Sequence, residues 1–331
     1  MARRQKGGDT SWSFAVGDEI VPGFHAWALL GDGRRCESWL AWCTRRWTPV
    51  VIKLPRPDCI NERTYQALSR EAEKISALSH PGIQRLLEAR CRERLPYLVF
   101  EYVEGPTLAD WLDEHGPLTP PNVVRLGLQI ASALHYMHCG GVVHCDVKPS
   151  NIAVREGRAV LLDFDIARRI GEEGRAKAAG SVHYMSPEQI RGEPAAPSMD
   201  IFALGATLYE AATNVILFDF KARPPVSEYP QLTRQRAPLR SLDPEIPEEL
   251  DRVIRSLLEV EPQRRPPTAL AALSRLARAL PKSERGLWPA WANKLMRRAN
   301  SAVMNGDGMG SAPRLCPNEL PLARQLETKL M

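Results

Sequence analysis

Short apolar runs broken by glycine, proline and charge fill the chain from about Val16 to Tyr102. Trp39-Leu40-Ala41-Trp42, Val50-Val51-Ile52 and Tyr97-Leu98-Val99-Phe100 have strand length and are rich in β-branched and aromatic residues, so they predict strands. One segment interrupts them: Leu68, Ala72, Ile75 and Leu78 recur at helical spacing until His80-Pro81-Gly82 stops the run. An antiparallel sheet with a single helix is therefore expected over the first hundred residues. Past Gly105 the period turns helical, and Val123, Gly127, Ile130, Leu134 and Met137 share a face between Pro120-Pro121 and Gly140-Gly141. Further helices are expected at about 199–212, 247–259 and 267–280, with the Pro- and Arg-rich stretch 213–246 winding over the surface. Residues 1–15 read as a flexible basic arm, and 281–331 as a tail whose one strong pattern is Trp288, Trp291 and Leu295.

Composition narrows the function classes. With 331 residues, 44% of them apolar, the chain can bury a core without crosslinks. The net charge of +5 comes from 44 basic and 39 acidic residues that are intermixed, which speaks against a nucleic-acid partner. No stretch reaches the roughly 18 to 20 continuous apolar residues that span a bilayer, and Arg3, Arg4 and Lys6 lead into no signal-like apolar run, so a cytoplasmic protein without a transmembrane segment is expected. The apolar face of Trp288, Trp291 and Leu295 is short, which favours docking of the tail on the helical part over peripheral membrane contact. Cysteines at positions 36, 43, 59, 91, 139, 145 and 316 form no CxxC pair, and their odd number predicts reduced thiols rather than disulfides or a zinc site.

The chemistry concentrates in His144-Cys145-Asp146-Val147-Lys148-Pro149-Ser150-Asn151, followed by Asp163-Phe164-Asp165. Phosphoryl transfer asks little covalent work of a protein: a carboxylate to take the hydroxyl proton, oxygen ligands for the metal on the phosphates, and positive charge. Asp146 supplies the first, Lys148 the charge beside the transferring phosphate, and Asn151 with Asp163 the hard oxygens that Mg2+ selects. An Asp-Xaa-Lys-Pro turn alone would be a surface loop; the asparagine at its spacing and a second apolar strand ending in Asp-Phe make it a site.

This set resembles the protein kinase family, serine/threonine type, and the phrasing His183-Tyr184-Met185-Ser186-Pro187-Glu188-Gln189 is most similar to bacterial kinases of eukaryotic type. The resemblance covers about residues 16–280 and implies an α+β fold of two lobes, a small antiparallel sheet lobe with one helix (16–102) and a mainly helical lobe (103–280). It further implies ATP and Mg2+ as cofactors and a protein hydroxyl as acceptor. Under it, Lys53 looks like the strand lysine on the α and β phosphates and Glu71 like its ion-pair partner; Glu73 is the runner-up partner, with a poorer family match that fits a solvated face better. Leu30-Gly31-Asp32-Gly33 through Ser38 looks like the phosphate-covering loop, Val51 and Ala153 like the roof and floor of the adenine slot, and Glu101 and Val103 like the hinge whose backbone meets the adenine edge behind Phe100. Glu188 would pair with Arg265, Asp200 would hold the catalytic loop, and Lys148 with Ser181 favours a serine or threonine acceptor.

Departures from the family pattern carry their own expectations. Cys36 and Ser38 replace the third glycine and the valine of the loop, Asp165 replaces a glycine and should stiffen the metal loop, and Cys145 replaces the arginine that receives a phosphorylated activation segment. Between Ile166 and Gly180 there is no Ser, Thr or Tyr. Activity independent of activation-segment phosphorylation is therefore expected, with no buried positive charge left to neutralise. The alternative is a weak or inactive pseudokinase that binds nucleotide as a scaffold; Lys53, Glu71, Asp146, Lys148, Asn151 and Asp163 all being present argues against it.

Overall fold

The computed structural model describes residues 11–173, 180–220, 229–233 and 237–281. The pattern at Trp288, Trp291 and Leu295 lies outside them. Six strands form one antiparallel sheet in the order β1 (Glu19–Val21), β2 (Phe24–Asp32), β3 (Cys36–Cys43), β4 (Thr48–Pro55), β6 (Tyr97–Glu101), β5 (Leu86–Arg90). Along β3, Glu37, Trp39, Ala41 and Cys43 are buried while Cys36, Ser38, Leu40 and Trp42 are partly exposed, the period-two alternation of a sheet with one packed face. Helix α1 (Glu62–Ile75) begins where the Asn61 side chain accepts the Thr64 N–H, and it buries Leu68, Glu71, Ala72 and Ile75.

The arm expected to be flexible through residue 15 is docked from Ser11 onward. Glu37, wholly buried, accepts from Ser11 Oγ (2.7 Å), Trp12 N–H (3.1 Å) and Trp39 Nε1 (2.8 Å), and Trp12 Nε1 donates to Pro55 O at 2.8 Å. Trp12 stacks on Phe14, which meets Trp39 edge-on, both with centroids 5.3 Å apart. Basic residues near the start hid the aromatic pair that does the docking.

Below the sheet the chain is helical. Helix α2 (Leu108–His115) opens with a capping box between Thr107 and Asp110, and α3 (Pro120–Cys139) lies in contact with α5 (Pro197–Thr213) and α8 (Ala269–Ala279). A Cβ at Gly127 of α3 would stand 2.9 Å from Leu276 and 3.0 Å from Leu208, so glycine there lets three helices approach. Two-stranded ladders, β7 (Val142–Val143) with β10 (Arg168–Arg169) and β8 (Ile152–Arg155) with β9 (Arg158–Leu161), frame the loops that carry the chemistry. Helices α4 (Pro187–Ile190), α6 (Pro230–Thr233) and α7 (Glu248–Leu257) complete the set among the described residues. Among the described residues of 213–246, Phe218, Tyr229, Leu239 and Ile246 are buried, so those parts are anchored rather than laid over the surface.

Candidate active site

Register places the upper half of the site. Gly31 pairs with Ser38, and Ser38 with Lys53, so the covering hairpin and the strand lysine lie in one row across β2, β3 and β4. The turn is tight, with Gly33 N–H on Cys36 O at 3.0 Å. Lys53 Nζ donates to both Glu71 carboxylate oxygens (2.9 and 3.0 Å) and to Asp163 Oδ1 (3.3 Å). Burial works to lower the Lys53 pKa, but the carboxylates of Glu71, Asp163 and Asp165 outweigh it and keep the ammonium charged. On Glu71 burial dominates and lifts the carboxyl from 4.5 to about 7, against the pull of Lys53. At Asp163, whose side chain is 47% exposed, desolvation works to raise the carboxyl, yet Lys53 and the Asp165 N–H hold it below the ordinary carboxylate range.

A pH dependence follows from Glu71. Below about 7 its carboxyl takes a proton and loses its hold on Lys53, so kcat/KM should fall on acidification with an inflection near there, absent from Glu71→Gln. A raised carboxyl pKa means that the native state binds the extra proton. Its contribution to stability is thus complete below 4.5 and lost as pH rises through about 7. A flat profile between pH 6 and 8 in the parent, on the order of the assay error, would contradict the assignment.

The lower half is a loop between β7 and β8. Asp146 Oδ1 accepts the Ser181 N–H (2.8 Å), while Oδ2 accepts from Lys148 Nζ (2.9 Å) and Asn151 Nδ2 (3.0 Å). Lys148 Nζ also reaches Ser181 Oγ at 2.5 Å. With its nitrogen so used, Asn151 leaves Oδ1 facing no protein donor among the described residues, as Asp163 leaves Oδ2. Two hard oxygens on adjoining loops suit Mg2+, so the donor set fits the ion that the family implies.

Buried polar anchors hold this loop. Asp200 Oδ2 accepts the His144 N–H (2.9 Å) and a bond from His138 (2.8 Å), and Oδ1 accepts the Cys145 N–H (2.8 Å). Burial would raise the Asp200 pKa, but these donors keep it below the usual range. They also secure a left-handed backbone at Cys145 (φ 66°), as the Lys53 contact does at Asp163 (φ 57°). Gly180 (φ +125°) has no such option: a Cβ there would lie 3.2 Å from Cys145 O and 3.1 Å from Gln189 Nε2. Arg265 closes the lower part with both terminal nitrogens on Glu188 (2.6 and 2.8 Å), neither side chain more than 2% exposed.

The departures resolve individually. Cys145 does not leave its surroundings uncharged, because buried Arg168 lies beside the thiol, with Nη2 3.3 Å from Met199 Sδ. Burial, reinforced by Asp200 rather than by Asp146, pushes the Cys145 thiol to about 12, and burial pushes Cys36 to about 12. Neither is a reactive thiolate. Asp165 keeps a negative φ and stands 3.7 Å from Arg35 of the hairpin and 3.9 Å from Lys53. Sequence reasoning missed Gln84, whose amide donates to the hinge carbonyl of Glu101 at 2.9 Å, and Lys74, whose ammonium reaches Ala167 O at 2.6 Å. No motif marks either.

The residues expected around a nucleotide divide between a buried cluster and the sheet. Val103 and Ala153 share one buried cluster with Val160, whereas Leu30 and Val51 lie on the sheet, Leu30 half exposed. The comparisons fit this layout: the protein kinase domain profile matches residues 24–275. The serine/threonine-protein kinase PknB of Mycobacterium tuberculosis is 34% identical over 262 residues, 76% of this chain and 42% of that protein. PrkC of Bacillus subtilis is 31% identical over 259 residues, 77% and 40% of the two chains. The chain thus spans about two fifths of the length of the curated relatives it matches. With an antiparallel sheet over a helical lobe and the lysine, glutamate and aspartates gathered between them, this chain belongs to the protein kinase family.

Proposed function

We propose that this domain transfers the γ-phosphoryl group of ATP, with Mg2+, to a serine or threonine hydroxyl of a protein substrate, and that it does so without phosphate on its activation segment. The observation that carries the reading is Asp146, a carboxylate fixed by Ser181, Lys148 and Asn151 beside the Lys53–Glu71–Asp163 cluster. The substrate oxygen attacks the γ-phosphorus, its proton passes to Asp146, and the bond to the β-phosphate oxygen breaks to leave ADP. Lys148 lies within reach of the same carboxylate and offsets charge on the transferred group; Lys53, fixed by Glu71, orients the α and β phosphates. When bound, Mg2+ held by Asn151 and Asp163 would neutralise charge on the phosphate oxygens. Leu30, Gly31, Gly33, Ser38 and Val51 cover the nucleotide, Ala153 underlies it, and the backbone at Glu101 and Val103 meets the adenine edge. We read the domain as cytoplasmic; the described cysteines are free thiols, and among the described residues no helix is long and apolar enough to cross a membrane.

The test is to strip the full chain with a phosphatase, confirm the absence of phosphate by mass spectrometry, and measure initial phosphate transfer from labelled ATP to a basic protein. The stripped enzyme should retain its rate within about threefold. A rate about tenfold or more below the untreated enzyme, recovering as phosphate appears on Ser181, Tyr184 or Ser186, would refute independence from phosphorylation; no transfer by either form would refute the activity itself.

A further inference from the structure

Helix α1 has two charged residues on its inner face, three positions apart, and they point to opposite parts of the site. Glu71 holds Lys53 from one turn. Lys74 on the next turn extends the other way, its side chain 10% exposed, and donates to Ala167 O at 2.6 Å with Glu172 Oε2 3.7 Å away. Both acceptors are tied into backbone hydrogen bonds. Ala167 N–H bonds Phe164 O (3.1 Å), one residue after Asp163, and the next two residues form β10 against β7. Glu172 takes the Arg169 N–H on its carboxylate (2.9 Å) and the Ala195 N–H on its carbonyl (2.9 Å).

A nearly buried ammonium is costly to leave without acceptors, so α1 cannot turn away from the segment after Asp163 without breaking this contact. Phosphorylation orders such a segment by adding negative charge opposite cations; here a carboxylate and a carbonyl encoded in the chain occupy that role. The neighbouring pair Arg169–Glu73 spans the same gap at 2.7 Å but is 55% and 68% exposed, where solvent screens it.

We propose that Lys74 is a positioning residue which, through Ala167 and Glu172, holds α1 where Glu71 pairs with Lys53, in place of an added phosphate. This rests on the reading that the unphosphorylated segment belongs to the active enzyme.

The experiment uses the phosphate-stripped full chain. Lys74→Met keeps the aliphatic stem and should lower kcat about tenfold while the affinity for Mg-ADP changes less than about threefold; Lys74→Arg should recover at least about half of the rate. Adding Lys74→Met to Glu71→Gln should cost less than about twofold more than Glu71→Gln alone, because both act on one geometry. Glu172→Gln, safer for folding, should lose about threefold and show the same non-additivity, and Arg169→Ala should stay within about twofold of the parent. Parental rates in Lys74→Met, multiplicative losses in the double variants, or loss of nucleotide binding together with kcat would each overturn the proposal. If the stripped parent is itself inactive, the failure lies with phosphorylation independence; if it is active and Lys74→Met matches it, only the role of Lys74 fails.

Discussion

Asp146→Asn is expected to lower kcat by about 10²- to 10⁴-fold while the dissociation constant for nucleotide stays within about threefold. The split follows from what the carboxylate touches. Its bonds run to Ser181, Lys148 and Asn151, and none runs to Lys53 or the covering hairpin. Asparagine keeps the volume but turns one oxygen into an NH2 group, which must face a donor where Asp146 offered an acceptor, and it cannot take the hydroxyl proton. Single-turnover transfer from labelled ATP and calorimetric titration with Mg-ADP measure the two quantities separately. A variant that transfers at the parental rate would remove Asp146 from the chemistry.

Arg265→Met should destabilise the domain by about 3 to 5 kcal/mol, because breaking a buried ion pair by removing one member leaves the other uncompensated. Arg265 serves Glu188 with two nitrogens and also bonds the carbonyls of Glu259 (2.7 Å), Ser198 (2.8 Å) and Val260 (2.9 Å). Methionine fills much of the space and replaces none of these bonds, leaving Glu188 with Ser198 Oγ alone. The melting temperature should fall by about 6 to 20 °C, and changing Glu188 to Leu as well should restore part of the loss. A fall below about 2 °C would show that the pair is solvated or dispensable.

What could be read in the residues and what could not divide along one physical line. Patterns that repeat at short range were legible: the strands around Lys53, α1 with Glu71, the face of α3, and the contiguous loop from His144 to Asn151. Helix α2 escaped because its eight residues hold barely two turns of apolar pattern, although Thr107 and Asp110 spelled its capping box. Contacts between distant positions left no local trace. Lys74 and Ala167 are 93 residues apart, so Lys74 looked like any basic residue at a helix end, where charge favours the dipole. Arg168 restores beside Cys145 a charge that the exchange at position 145 had removed, and only the fold brings the two together. Proline and arginine made 213–246 look solvated, yet Phe218, Tyr229, Leu239 and Ile246, among its described residues, are buried.

Strand β3 has one further property that bears on how the nucleotide is felt elsewhere. Ser38 lies in register with Lys53, while the preceding residue, Glu37, turns to the opposite face and receives Ser11 and Trp12. Under the proposed function, one strand would thus take part in two equilibria, cover over the phosphates on one side and seating of residues 11–14 on the other. Linkage between such equilibria is reciprocal: the factor by which nucleotide tightens or loosens that seat equals the factor by which the seat alters nucleotide affinity.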